Sequence, residues 1–582
     1  MPNGRTIPAD KPKSVVTTTV MSNGAEVSRQ HHLLSVIINK EVNRIPVATL
    51  VYIDGEPSKE TFELSSKAEF EPGREIEIKT GYSSDEKLLF KGIVVKHKIK
   101  MHAKNSVLIV ECRDKAVKMT ATLKNKYALD TTDSDVMEEL IDTYGLEKEV
   151  DPTTVTHKQL VQYNATDWDF ILCRADVNGM LCIANNGKLE IKKPQLSGEV
   201  ALTIQYGATV HDLDAEIDAR LQFKSVTASV WNSTDQELNK DTEAEDPSVP
   251  AAGNIDATTL ANVIGAEEYR MYNSAAVEQP ELEAWVNAAM LKHRLAKIRG
   301  KVTTDGTADV VPGKLIQLNG VGDRFQGKLF VTGVRHEISE GLWQTTFQFG
   351  INPEWFVQTY NVQQPLSAAM LPAIQGLHIG VVTQLESDPA GEDRIMVKLP
   401  VLNNDEDGIW CRVAKLDAGE NRGMFFLPEV GDEVVIGFIN NDPRHAVVLG
   451  MLNSSAKPAP LTAADDNHEK GYVSRSEMKM IFNDEKKSFS FETPGGNKFL
   501  ITEEDKKIHL EDQNGNKITM NDQGITIESI KDIVLKAAKD IKTDGVNITV
   551  KAGAQLKAEG SAGAELSSGG TAKIKGSIVN IN

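Results

Sequence analysis

The sequence predicts a mainly β protein of several domains, and three observations carry that prediction. Short β-branched runs separated by polar turns fill residues 14–120 and 308–350. Five short strands crowd into residues 377–453, the pattern of a small Greek-key barrel of the OB type. Beyond residue 472 the chain alternates with period two, and from Val534 it repeats with period eight.

In the first region the strands are "HLLSVIINKEV", "REIEIKTGY", "KLLFKGIVVKHKIKM" and "SVLIVECRD". A helix follows at "DSDVMEELIDTYG": Asp135 and Glu138 favour its N-terminal end, Val136, Leu140 and Ile141 share a face, and Gly145 stops it. A second helix fits "ATDWDFILCRADVNG", ending at Gly179. Residues 233–264 break the composition. They are acidic, contain two prolines, and read as an exposed insertion or linker. A longer helix is expected over 281–298, with Leu291, Leu295 and Ile298 on one buried face. Strands resume over 308–350, and residues 351–376, with Pro353, Pro365 and Pro372, read as an extended connector. The compact β unit at 377–453 is followed by the polar connector "NSSAKPAPLTAADDNHEKG".

From about residue 472, short alternating segments end in Gly or Asn turns. After Phe499 there is no Phe, Tyr, Trp or Pro. Set in rows of eight from Val534, the fourth position is always small: Ala537, Gly545, Gly553, Ser561, Gly569 and Ser577. The first position is mostly aliphatic, with Val534, Val550, Leu566 and Ile574. One aliphatic side chain stabilises a row by roughly 1.5–3 kcal/mol. Ordering eight residues costs about 8–16 kcal/mol of backbone entropy. A single chain therefore cannot hold this repeat, and its strand edges would stay open. Three copies wound about one axis close the edges and bring the aliphatic positions into one narrow core. The tail thus reads as an intertwined triple-stranded β-helix, a β-prism.

At 582 residues, 63.7 kDa and a formal charge of −19, the chain holds about three to five domains. Its acidity argues against nucleic acid as a partner. The four cysteines, Cys112, Cys173, Cys182 and Cys411, form no C-x-x-C pair and read as small buried hydrophobes. The N-terminus shows no signal-peptide pattern, so synthesis in the cytoplasm is expected.

The sequence carries no motif that points to a catalytic residue, a metal or a cofactor. Gly320-x-Gly322 lacks the third glycine of a dinucleotide loop and reads as a β-turn. Asn403, Asp405, Asp407 and Gly408 have calcium-loop phase, but Ala414 stands where the loop needs Glu. His31 and His32 lack a partner at metal spacing.

Residues 421–452 resemble the "PE-x-GDEV…DP…G" signature of VgrG-type spike proteins of contractile injection systems. The motif reads Pro428, Glu429, Gly431, Asp432, Glu433, Val434, Phe438, Asp442, Pro443 and Gly450, with Ala446 where many members have Pro. "ATDWDFILCRADVNGM" resembles the family's hub segment, with Asp167, Phe170, Arg174 and Gly179. "VPGKLIQLNGVGDRFQGKLFVTGVRHEI" and "TPGGNKFLITEEDKKIHLEDQNGN" resemble further family segments. The overall pattern is similar to type VI secretion and phage-tail-like spikes of the Bacteroidetes type.

The resemblance implies a homotrimer. Residues 1–355 would form a phage-hub-like base of two barrel-like lobes, docked on a hexameric inner tube protein. Residues 356–376 would be a linker, 377–453 an OB-fold collar, 454–471 a connector and 472–582 the needle. A PAAR-type tip protein would sit on Val579, Ile581 and Asn582. Baseplate proteins and effector cargo are the other implied partners, and the target membrane would be punctured mechanically after assembly in the particle. No lysozyme domain fits between Asn453 and Tyr472, and neither cell-wall digestion nor a built-in effector domain is expected of this chain. The alternative is a phage-like tail spike that cleaves carbohydrate or peptidoglycan.

Overall fold

The computed structural model describes residues 15–101, 105–250, 252–402 and 405–581. The chain divides into two compact units, Met1–Ala373 and Ile374–Asn582.

The first unit is built on a thirteen-stranded sheet. Its N-terminal half uses Val16–Ser22, Leu33–Glu41, Val47–Ile53, Glu75–Tyr82, Asp85–Met101 and Ser106–Arg113, with the two-residue edge Ala25–Glu26. Its C-terminal half uses Leu202–Gln205, Asp212–Ile217, Ile298–Asp305, Leu315–Asn319, Gly327–Ser339 and Leu342–Phe349. One antiparallel pair joins the halves, with Ile338 opposite Val36, His336 opposite Ile38 and Val334 opposite Lys40. Each half wraps its own core. Ile38, Leu50, Phe70, Ile78, Phe90 and Leu108 fill the first, and Val302, Ile316, Leu318, Val331, Phe347 and Phe349 fill the second. The two halves of one continuous sheet thus bury separate cores.

The helices pack into separate cores. α1 (Asp133–Asp142) is capped by Thr132, whose Oγ1 accepts from Asp135 N–H at 3.2 Å, and Gly145 (φ +62°) turns the chain away. α2 (Asp167–Val177) is capped in the same way by Thr166, with Gly179 (φ +67°) beyond it. These helices bury Met137, Ile141, Trp168 and Ile171 against the hairpin Leu181–Asn185/Lys188–Lys192. α3 (Ala257–Ile264) lies inside the acidic stretch read as insertion or linker. Asp256 caps it and Gly265 ends it. Most of that stretch is exposed, as expected, but it is held to the fold. Thr242 and Ala252 are buried, and Asp246 accepts from Arg294 at 2.7 Å.

α4 (Gln279–Leu295) ends three residues earlier than its apolar spacing suggests. Its buried apolar residues are Leu282, Val286, Ala288, Ala289, Met290 and Leu295, with Leu291 only part-buried. Ile298 instead opens a strand. The expected linker 356–376 begins within the first unit: Phe356 packs on the α1/α2 core, and its N–H donates to Asp176 at 2.8 Å.

The second unit opens with a closed five-stranded barrel: His378–Gln384, Ile395–Lys398, Ile409–Val413, Glu433–Phe438 and Ala446–Met451. Its core is Val382, Ile395, Val397, Cys411, Val434, Ile436 and Val448. All neighbours are antiparallel except Ile409–Val413 with Ala446–Met451. Seven short strands follow as an antiparallel meander from Glu469–Val473 to Gly524–Glu528. From Ser529 to Ile581 there is no strand or helix, and from Ile530 every described residue is exposed.

Candidate interaction site of the collar and needle

The collar motif folds into two tight turns. Pro428 leads into the first, where Asp432 N–H donates to Glu429 O at 3.0 Å and Asp432 Oδ2 accepts from Glu429 N–H at 2.9 Å. Gly431 takes φ +87°, a left-handed geometry that a Cβ would strain. Its N–H donates to Val382 O at 2.7 Å, which docks the turn on the barrel ahead of the strand that begins at Glu433. In the second turn, Asp442 accepts from Arg444 N–H at 2.9 Å and from its guanidinium at 2.7 and 3.0 Å. The Arg444 contacts hold the Asp442 carboxyl down at about 2. Pro443 suits the inner position of that turn, and Ala446 opens the closing strand. Gly450 stands apart, because a Cβ there meets nothing within 4 Å.

Two motif side chains also reach the segment that follows the barrel. Arg475 donates to Glu429 Oε2 at 2.9 Å, and Lys457 donates to Gly431 O at 2.5 Å and Asp432 Oδ1 at 3.1 Å. Glu429 and Asp432 therefore shape the turn and also anchor the connector and the first meander turn. Sequence reasoning found the motif but not these partners, which lie 25 to 46 residues away.

The meander carries its apolar residues in register. Tyr472, Met480, Phe491, Phe499, Leu510, Ile518 and Ile527 stand opposite one another, strand by strand. Two residues along on the same face, Phe482, Phe489, Ile501, Ile508, Met520 and Ile525 form a second row. Between them the two rows hold most of the sheet's large apolar side chains. The opposite face carries Ile481, Ser490, Leu500, His509, Thr519 and Thr526. An open apolar groove of about 920 Å³ follows the first row and reaches Phe426 and Ile533. Phe491 is 49 % exposed and Ile527 56 %. So large an apolar strip is unusual on a monomer and marks an interaction surface.

The repeat beyond the meander leaves its aliphatic residues bare. Val534, Val550, Leu566 and Ile574 are exposed, as are Val579 and Ile581. Gly545, Gly553, Ser561, Gly569 and Ser577 are exposed too. Asn582 lies outside the described residues, as does Asn403 of the calcium-like stretch. The single chain brings none of these positions together into a core.

The hub segment resolves into a buried charge network. Asp167 accepts from Lys124 at 2.5 Å, Tyr144 at 2.6 Å and Gln162 at 2.9 Å. Arg174 forks onto Asp133 at 2.6 and 3.0 Å and reaches Glu281 at 2.9 Å, tying α2 to α1 and α4. Burial raises the Asp133 carboxyl, but Arg174, Asn178 and His157 more than reverse this and hold it below its usual range. Phe170 packs on the same helical core, and Gly179 supplies the left-handed exit. Among the described residues no group of three or more His, Cys, Asp or Glu is placed to hold a metal ion, and no helix is long and apolar enough to cross a membrane.

Against known families, residues 12–340 match the Alg8 N-terminal domain, more than half of the chain. The chain belongs to the Alg8 N-terminal domain family. Residues 378–452 match the type VI secretion system/phage-baseplate injector OB domain, which coincides with the closed barrel. Among curated proteins, this family member is similar to two type VI secretion system spike proteins of Pseudomonas aeruginosa. VgrG1b is 21 % identical over 238 residues, covering 38 % of this chain and 31 % of the relative. VgrG1a is 23 % identical over 237 residues, covering 38 % and 36 %. The chain thus spans about a third of the length of these relatives. Among solved structures, the 43 kDa tail protein of prophage MuSo2 from Shewanella oneidensis aligns over 58 % of this chain and 98 % of its own, with 12 % identity and a TM-score of 0.44. The E. coli c3393 protein, a type VI secretion component, aligns over 74 % and 99 %, with 13 % identity and a TM-score of 0.38.

Proposed function

We propose that the chain is the central spike and hub of a contractile injection system and acts as a homotrimer. One observation carries this reading: a folded chain ends in an in-register apolar sheet face followed by a repeat with no internal partner. Both become a folded needle when copies wind together, because each strand edge then pairs and each apolar row faces its counterparts. The collar match to an injector OB domain and the similarity to VgrG spikes support the same reading.

In this reading residues 1–355 dock on a hexameric tube protein and face baseplate proteins. The barrel forms the collar, and the segment from 472 forms the needle. Val534, Val550, Leu566 and Ile574 face the trimer axis, and the small residues at Gly545, Gly553, Ser561, Gly569 and Ser577 allow close approach. Val579, Ile581 and Asn582 contact a PAAR-type tip protein, and effectors travel with the tip or in the tube. The chain acts by mechanical puncture, without catalysis, and is delivered out of the producing cell.

Light scattering on the purified chain tests this. The expected mass is three times 63.7 kDa. A monomer with an ordered, protease-resistant tail would overturn the reading.

A further inference from the structure

The tip of the hairpin Leu181–Asn185/Lys188–Lys192 docks onto the large sheet at three points. Asn186 Oδ1 accepts from Lys91 N–H at 2.9 Å. Gly187 N–H donates to Asp114 Oδ2 at 2.9 Å. Lys40 Nζ donates to Asn185 Oδ1 at 2.6 Å.

The third contact differs in kind from the other two. Lys40 continues the buried face of its strand, in line with Val36, Ile38 and Val42, and is only 5 % exposed. Across the sheet stand Val334 and, one pair along on the same face, the buried His336. An isolated ammonium is costly in such surroundings. Burial pushes the Lys40 amine down to about 8, against the opposing pull of Asp114. A surface lysine stays protonated at neutral pH, whereas here a usable fraction keeps its lone pair. Burial likewise raises the Asp114 carboxyl, which also accepts from Ala116 N–H at 3.0 Å.

We propose that Lys40 and Asn185 join in an intramolecular isopeptide bond, because the fold holds a buried amine against a carboxamide at a turn pinned by a buried carboxyl. The lone pair of Lys40 Nζ forms a bond to Asn185 Cγ, and the carbonyl π pair moves onto Oδ1. The carbonyl re-forms as the bond from Cγ to Nδ2 breaks. One proton passes from Nζ to Nδ2, and ammonia leaves. The amine and primary amide become a secondary amide and ammonia, with no oxidant or reductant. Holding both groups in contact supplies the effective concentration that an exposed pair lacks. Asp114 positions the turn through Gly187.

The bond would bridge partners 145 residues apart, linking the central strand of the large sheet to the helical lobe. Such a bridge removes freedom from the unfolded chain and resists separation of the two parts under load. It does not depend on the proposed function, since it concerns one chain and its own fold.

Intact-mass and tandem mass spectrometry on the full-length chain test it, after prolonged incubation at mildly alkaline pH. The expected result is a chain lighter by one ammonia. Its tryptic digest should contain a branched peptide joining Lys40 to Asn185 and show no cleavage after Lys40. Lys40→Arg and Asn185→Ala should both keep the full mass, and Asp114→Asn should slow the loss. A wild-type chain of full mass would overturn the proposal whatever the variants do. An ammonia loss that persists in Lys40→Arg would also overturn it, because ring closure at Asn186 before Gly187 gives the same mass change without a branch. Linking at the wild-type rate in Asp114→Asn would remove the role given to Asp114.

Discussion

Gly300 in the first unit and Gly553 in the tail meet opposite surroundings. A Cβ on Gly300 would lie 2.2 Å from Asp214 O on the neighbouring strand, whereas a Cβ on Gly553 meets nothing within 4 Å. In the first unit the requirement for glycine is set by the chain itself. At Gly553 the chain imposes none, so any requirement there comes from outside it. Charges and apolar groups follow the same division. Asp133, Asp167 and Arg174 find partners within the first unit, while Val550, Leu566 and Ile574 find none in their own chain. One region is stable by its own contacts, and the other leaves its apolar positions exposed, where the proposed trimer would cover them. Substitutions ordered by their effect on a single chain should trace that division.

The largest single-chain effect belongs to the buried network. Arg174→Ala leaves Asp133, 2 % exposed at its side chain, facing Glu281 without the guanidinium between them. Removing one partner of a buried ion pair costs about 3–5 kcal/mol. Denaturant unfolding of the first unit should show that loss, and a change under about 1 kcal/mol would mean that the network relaxes or admits water.

The collar should respond less, and through acid. The folded Asp442 carboxyl sits at about 2, below its ordinary range, because Arg444 holds it. Its contribution is full above the unfolded value of about 3.9 and is lost as pH falls through the folded value. Barrel melting followed from pH 5 down to about 2 should show a step. Asp442→Asn should remove the step and leave the neutral-pH fold intact. An unchanged acid profile in that variant would show that Arg444 does not hold the turn.

Smaller still, for one chain, is Phe491→Ser on the meander face. The ring is 49 % exposed, so its loss should cost a single chain below about 1 kcal/mol. The proposed trimer would lose three such rings from one apolar row, and light scattering should show dissociation at concentrations where the wild type stays assembled. A Phe491→Ser trimer of wild-type stability would mean that this face is not the contact between copies.

Local chemistry decided which of these features were legible in the sequence. The barrel strands and α1 and α2 could be read because their periodicity and their Gly145 and Gly179 stops act within a few residues, whereas the Thr132 and Thr166 caps emerged only in the structure. α3 carries equally plain signals in Asp256 and Gly265, but the acidic residues before it gave the whole stretch the look of a linker. The expected helix ran on to Ile298 because one aliphatic residue fits a helical face and the first position of a strand equally well. The motif residues Asp167 and Arg174 stood out, but not what they hold, since Asp133 and Glu281 lie 41 and 107 residues from Arg174. In the needle, alternation was visible but registration was not. The pairing of Tyr472 through Ile527 depends on every turn having the right length, which only the folded sheet displays. In the proposed trimer neighbouring copies would set the inward phase of the repeat, and one chain's exposure carries no trace of it.

Gly553→Trp probes that last point where the single chain has nothing to lose. The position is exposed, and a Cβ meets no atom within 4 Å, so an isolated chain accommodates the indole at no steric cost. Melting of the first unit and of the collar barrel should therefore be unchanged. In a needle of three chains the substitution places three indoles at one level, where the eight-residue repeat keeps small residues. Electron microscopy should show needles frayed from that level, or a trimer that fails to form. An unchanged, heat-resistant trimer would mean that Gly553 faces outward and that the repeat's small position is not its point of close approach. The inward row would then have to be sought at another of the eight phases, beginning with the one that holds Gly560 and Gly576.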